Sequence, residues 1–276
     1  MEQIGQILNK SSMMKESELE LKICDKCGDP VQKKINLMGR ERIVPIMCRC
    51  KKIEMEIKKE QEENAEKQER LKRLLKNSLM DKKFEHETFE NWNDDVGSKQ
   101  IKEIGKRYCK NFQEAKKNGL GLLIYGPPGN GKTYVSNCIA NNLLSNGIPV
   151  ICVSINSLLE RIRQTYSKWG KEGEDEILKG LSNADLLIID DLGTEQKTDW
   201  SCTKIYNIVD SRYRNGLPLI VSTNKSIDEL KEQYHERTID RLLEMCTPLK
   251  NNNTSIRKDK ARKNTDILRE IIGGTK

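Results

Sequence analysis

Eight consecutive residues, Gly126-Pro127-Pro128-Gly129-Asn130-Gly131-Lys132-Thr133, set glycines, a lysine and a hydroxyl at the spacing G-x-x-x-x-G-K-[ST]. The apolar run 120–125 precedes them and a helix-forming stretch follows. Each residue type has a physical task. Glycines let the backbone wrap a phosphate with several N–H groups aimed at it. A helix beginning at Lys132 adds the positive end of its dipole. The Lys132 ammonium reaches the β and γ phosphates of a nucleotide, and the Thr133 hydroxyl ligates Mg²⁺. Gly126, Pro127, Gly129, Asn130, Gly131, Lys132, Thr133 and Tyr134 are the expected nucleotide-binding residues. The alternative is a glycine-rich turn before an ordinary helix. It is weakened by the strand-before, helix-after context and by a second motif.

That motif is 184–193, ADLLIIDDLG, in which four apolar residues run into Asp190 and Asp191. Such a run suits a strand buried on both faces of a parallel sheet, whose carboxyl end faces the ligand. Asp190 is placed to hold Mg²⁺ with Thr133, and Asp191 to polarise an attacking water. A solvated turn is the competing reading of two adjacent carboxylates. In 217–224, LPLIVSTN, another buried-type strand ends at Asn224. Asn224 orients the lytic water or senses the γ-phosphate, or simply belongs to a turn.

A separate constellation lies near the N-terminus. Cys24-x-x-Cys27 is followed by Gly28 and Asp29, and Cys48-x-Cys50 closes the set after a spacer of twenty residues. Four thiolates satisfy tetrahedral Zn²⁺, and their closed set is that of a structural site. Unliganded thiols or a redox pair are the alternatives. The spacer is expected to form a hairpin, 31–37 and 42–47, turning at Met38-Gly39-Arg40. Cys109, Cys138, Cys152, Cys202 and Cys246 are scattered through apolar or helical segments and read as small hydrophobes.

The elements that must position these groups follow from the hydrophobic pattern. Strand-like runs at 120–125, 148–155, 184–190 and 217–223 alternate with helical stretches at 132–145, 156–169, about 174–182 and 201–215. A further short strand is expected near 245–249. That alternation specifies an α/β fold with a parallel sheet and right-handed crossovers. Residues 85–276 form this domain, with Phe89 and Trp92 as a lead-in segment. Residues 51–84 lack Gly and Pro and are dense in charge, a solvated connecting helix with a coiled coil as the alternative. Residues 1–50 form the cysteine-rich module, whose first 23 residues are a polar tail or short helix.

The chain has 276 residues, a net charge of +7 and a pI near 8.8, compatible with a nucleic-acid partner. Apolar runs of membrane-spanning length are absent, as is a signal-like N-terminus, so a soluble cytoplasmic protein is expected.

With GPPGNGKT at 126–133, LLIIDDLG at 186–193, VSTN at 221–224, TIDRL at 238–242 and NTSIR at 253–257, the chain resembles bacterial and phage replicative helicase loaders of DnaC/DnaI type. These are AAA+ ATPases related to the IstB-type transposition ATPases. The resemblance covers most of the chain and implies an AAA+ fold without a full lid domain. It also implies slow Mg²⁺-dependent ATP hydrolysis and partnership with a hexameric replicative helicase and single-stranded DNA. Arg241 matches the arginine finger that completes a neighbouring subunit's site, with Arg237 one turn earlier as a rival. Arg257 matches the sensor-2 arginine, or is an ordinary solvated cation. The family usually carries Glu where Asp191 stands; loaders of this type share the Asp. Arg161, Arg163, Lys168, Tyr166 and Trp169 are implied single-stranded DNA contacts, although Leu158, Leu159, Ile162 and Tyr166 also read as the core face of a helix. The runner-up is a transposition helper acting with a transposase on duplex DNA. A zinc-dependent adaptor with a vestigial ATPase is a third reading.

Overall fold

The computed structural model describes residues 21–37, 40–74, 84, 86–94, 97–166, 172–253 and 255–273. The expected polar tail over 1–20, turn residues Met38 and Gly39, connecting residues 75–83, and Lys168 and Trp169 lie outside them. The chain divides into two compact units, Met1–Glu62 and Glu63–Lys276.

In the first unit, β1 (Gln32–Leu37) and β2 (Arg40–Pro45) form an antiparallel ribbon with Gln32 opposite Pro45 and Leu37 opposite Arg40. Ahead of it, Cys24 to Asp29 fold into a tight turn. Its bonds run from Gly28 N to Cys24 O and from Cys24 N to Asp29 O, both 2.8 Å. Helix α1 (Arg49–Leu74) begins between Cys48 and Cys50, and the Asp29 carboxylate accepts the Arg49 N–H at 3.0 Å. A carboxylate at a helix start satisfies an orphan donor and the helix dipole together. Lys26 reaches the same helix through Glu54 at 3.1 Å.

The second unit is built on a parallel five-stranded sheet of order β4-β5-β6-β3-β7. The strands are β3 (Gly121–Tyr125), β4 (Val150–Ser154), β5 (Leu186–Asp190), β6 (Leu219–Thr223) and β7 (Cys246–Lys250). They match the expected runs to within two residues, the short last strand included. The three strands β3, β4 and β5 are buried over their first four residues and β6 throughout. Alternate side chains feed two cores. Leu123, Leu187, Val221 and Ile189 face one side with α5 (Ile155–Thr165), α6 (Glu172–Asn183), α7 (Asp199–Arg214), α8 (Ile227–Gln233) and α9 (Glu236–Met245). Leu122, Ile124, Ile188 and Ile220 face the other with α2 (Lys99–Lys110), α3 (Phe112–Lys117), α4 (Lys132–Ser145) and the lead-in residues Phe89 and Trp92. Both faces are covered, as a parallel sheet requires. After β7, α10 (Ile256–Ile271) follows.

Buried Arg212, on α7, ties the lower ends of these elements together, donating to the carbonyls of Leu181, Ala184, Asp185 and Pro218. Burial pushes its guanidinium down to about 10, against the raising effect of Asp185. The Asp185 carboxylate pairs with Lys116 at 2.6 Å and with Lys67 of α1. The neighbouring Gln68 amide caps the edge of β4, accepting the Val150 N–H at 3.0 Å and donating to Val150 O at 3.1 Å. An edge strand's free backbone groups are thereby paired.

Candidate nucleotide and metal sites

Between β3 and α4, the loop 126–131 closes over the carboxyl ends of β3 and β6. Its backbone is left-handed at Gly126, Gly129 and Gly131, with φ of 146°, 82° and 94°. Close approach reinforces the need for glycine. A Cβ at Gly126 would lie 2.1 Å from Asn251 O, and one at Gly129 would lie 2.3 Å from Ser255 Oγ.

Asn251, just past β7, was invisible as a site residue in the sequence. Its Nδ2 donates to Asn130 O at 2.9 Å, and Asn130 Nδ2 donates back to Asn251 O at 2.6 Å. Both residues are buried, and the reciprocal pair clamps the loop to the sheet edge. The Ile256 N–H to Gly129 O bond at 2.9 Å brings the start of α10 against the same loop. Arg257 thus sits beside Gly129, and its charge acts on Lys132.

Lys132 is 4% exposed, and its ammonium donates only to neutral oxygens: Gly126 O at 2.9 Å, Pro127 O at 2.8 Å and Asn130 Oδ1 at 3.1 Å. Burial pulls its pKa down, while Asp191 and Asp190 hold it up and Arg257 opposes them. A buried cation inside a glycine cradle fits an anionic phosphate.

Asp190, at the end of β5, accepts from Thr133 Oγ1 at 3.1 Å and from the Ser222 hydroxyl. Burial raises its pKa, a charge on Asp191 raises it further, and the two hydroxyl bonds lower it. A buried carboxylate next to a threonine hydroxyl is the oxygen donor set that suits Mg²⁺. Ser222 also accepts the Asp191 N–H at 3.2 Å, so one hydroxyl orients both carboxylate residues. Asp191 holds a left-handed φ of 56°, an uncommon state for a residue with a side chain. Its Oδ1 lies 3.4 Å from Asn224 Nδ2, which joins the end of β6 to the site. Tyr134 turns away toward the lead-in segment, donating to Asn91 O at 3.0 Å and meeting Trp92 edge-on.

The structure thus brings together residues 126–133, Asp190, Asp191, Asn224 and Arg257. Arg241 makes its contacts elsewhere. It pairs with Asp210 of α7 and lies over the rings of Tyr206 and Tyr213, at 5.0 and 5.6 Å. Arg237, on the same helix, is exposed.

In the first unit, the sulfurs of Cys24, Cys27, Cys48 and Cys50 all lie within 4.8 Å of one another. The Cys48–Cys50 and Cys24–Cys50 separations are 3.3 and 3.5 Å. Tetrahedral Zn–S bonds of about 2.3 Å require sulfurs roughly 3.8 Å apart, so the cluster fits the ion with little movement. The Cys24 thiol is pulled down to about 6, chiefly by the Cys27 backbone N–H. By contrast Cys138, Cys152, Cys202 and Cys246 are buried, and burial raises their pKa, as expected for inert packing residues.

This geometry agrees with the family match. The IstB-like ATP binding protein family matches residues 47–264. The chain belongs to that family. It is 30% identical over 174 residues to the replicative helicase loader DnaC of Buchnera aphidicola subsp. Baizongia pistaciae, spanning 63% of this chain and 70% of that protein. A crystal structure of the DnaC helicase loader superposes with a TM-score of 0.55 at 23% identity, covering 62% of this chain and all of that one. A crystal structure of DnaI gives 0.52 at 18% identity, covering 64% of this chain and 93% of that one. The fold of this IstB-family chain is that of a DnaC-type AAA+ ATPase.

Proposed function

We propose that this protein is an ATP-regulated loader that binds a hexameric replicative helicase and delivers it to single-stranded DNA. The carrying observation is the complete nucleotide constellation, Lys132, Thr133, Asp190, Asp191 and Asn224, built on a fold shared with proteins named as helicase loaders. Residues 126–133 with Arg257 grip the nucleotide, while Tyr134, in the first turn of α4, packs on the lead-in segment behind it. Mg²⁺, held by Thr133 and Asp190, would neutralise phosphate charge. Asp191 accepts a proton from the attacking water, which Asn224 orients. Arg241, steadied by Asp210, completes a neighbouring subunit's site; such an arginine is worth about 10³-fold or more in rate.

The cysteine module of residues 1–50, in which Cys24, Cys27, Cys48 and Cys50 would hold Zn²⁺, acts with the connecting helix as the helicase adaptor. Residues 51–84 connect it to the ATPase over 85–276. The DNA contact is an aromatic and basic surface on α5 and α7 in which Trp200 joins the sequence-derived residues. Arg163 lies 4.8 Å over the Trp200 ring, and Trp200 Nε1 donates to Tyr166 Oη at 3.3 Å. Half-exposed Tyr166 and this cation suit base stacking along a strand. The protein works in the cytoplasm.

Native mass analysis of the full chain with the host's replicative helicase, with and without ATP, tests the reading. A defined multi-subunit complex is expected. Lys132→Ala should abolish ATP binding, and a Cys24→Ser/Cys27→Ser chain should keep ATP binding and lose the helicase. The family match by itself favours a second reading, a helper for a transposase on duplex DNA. Absence of any helicase complex with ATP binding intact would select it.

A further inference from the structure

Glu195, in the loop after β5, is only 7% exposed and takes no part in the chemistry above. Its Oε2 accepts the Gly193 N–H at 2.9 Å. Its Oε1 accepts Gln233 Nε2 at 2.7 Å and the Tyr234 hydroxyl. The donors come from two places with different duties. Gly193 lies two residues beyond Asp191, in a loop where the Thr194 N–H and hydroxyl both bond to Asp191 O, at 3.2 and 2.7 Å. Gln233 and Tyr234 close α8 immediately before α9, the helix carrying Arg237 and Arg241.

The same junction is held twice more, by Lys197 Nζ on Glu232 O at 2.6 Å and by Cys202 Sγ on Gln233 O at 3.7 Å. A buried carboxylate is costly to desolvate, and packing alone would be served by a neutral side chain. A carboxylate offers only acceptors, so it can take donors from both segments at once. The isosteric amide must turn a donor toward one of them.

We propose that Glu195 is a positioning residue that ties the loop carrying Asp191, in a subunit's own nucleotide site, to helix α9, whose Arg241 serves the neighbour's site. This rests on the trans-acting arginine proposed above. Through Glu195 and Tyr234 the Asp191 loop holds the arginine helix in place, so the packing around one subunit's site fixes where its arginine reaches the next.

Two full-length chains test it. An Arg241→Ala chain keeps a nucleotide site and lacks the finger; a Lys132→Ala chain keeps the finger and lacks nucleotide binding. Mixed on single-stranded DNA, they should hydrolyse ATP where neither does alone. Glu195→Gln is then added to the Lys132→Ala chain only. Every working site now lies on the other chain, whose Glu195 is intact, so KM for ATP should hold. The expected result is a kcat lower by about tenfold or more, since a group misplaced by about 1 Å can cost on the order of 100-fold. An unchanged kcat overturns the inference. Should the Glu195→Gln chain fail to fold, Tyr234→Phe in the same chain removes one hydroxyl and should lower kcat in the same direction; no change there also overturns it. An inactive starting mixture instead refutes the trans reading, and the inference falls with it.

Discussion

The two β elements of this chain are stabilised in opposite ways. In the ATPase unit each of β3, β4 and β5 buries four consecutive residues, and two apolar cores cover the sheet. In the N-terminal unit the β1–β2 ribbon is mostly exposed, and among its described residues Cys48 is the one that is buried. An isolated two-stranded ribbon is marginal in water. What the first unit lacks in core it has in four converging thiols. The difference teaches that one chain can set a part with almost no core, where a metal is proposed to supply the folding energy, beside a part built on burial. The exposed Ile53, Met55 and Ile57 at the start of α1 belong to the first part.

Removing zinc is the strongest way to break this comparison. Structural zinc supplies about 10–16 kcal/mol in comparably small modules. Chelation should therefore open residues 24–50 to protease and fast hydrogen exchange while the ATPase unit's melting transition stays in place. A shared loss of both units would show that they fold together.

Next in size is Arg212→Met, which takes the guanidinium from four carbonyls, of which Pro218 O keeps the Leu187 N–H at 3.5 Å. Unsatisfied buried groups cost about 1–3 kcal/mol each, so a loss on the order of 3 kcal/mol or more is expected in urea unfolding of the full chain. A change under about 1 kcal/mol would mean that water replaces the guanidinium.

Asp190 gives a pH test with a definite sign. Burial raises its folded pKa above the ordinary 3.8, so the folded protein holds this proton more tightly than the unfolded chain. Its contribution to the nucleotide-free protein therefore declines as pH rises from that value through the folded pKa. Asp190→Asn should raise the melting temperature at neutral pH and flatten this decline, while abolishing Mg²⁺-dependent hydrolysis. An equal or lower melting temperature would show that the Ser222 and Thr133 bonds outweigh burial.

The smallest effect is expected at Gln68→Ala, which uncovers the Val150 backbone for at most about 1.5 kcal/mol. Faster amide exchange confined to the start of β4 would register it, and unchanged exchange there would dismiss the capping role.

Much of the nucleotide site was legible because its parts are local. The loop glycines, Lys132 and Thr133 are contiguous, and Asp190 and Asp191 end a run whose apolarity marks a strand buried on both faces. The cysteine pairs were legible for the same reason: each occupies three or four residues, and the chemistry of four thiols needs no fold to be recognised. Ser222 and Asn251 were hidden, because a serine in a strand and one asparagine in a run of three carry no local signal. Trp200 fell just ahead of the expected helix 201–215, and Glu195 was one more charge in a charged chain.

By itself the sequence determined the periodicities, the turn glycines and the identities of the reactive groups, because these depend on neighbours within a few residues. Tertiary structure alone decided that β3 lies between β6 and β7. It likewise placed β5 beside β6, and so set Asn251 against Asn130 across 121 residues, Ser222 against Asp190, and Glu195 between the loop after β5 and the junction of α8 and α9. Those pairings depend on strand order, and strand order is settled by how two cores pack around the whole sheet, a property that no single segment carries.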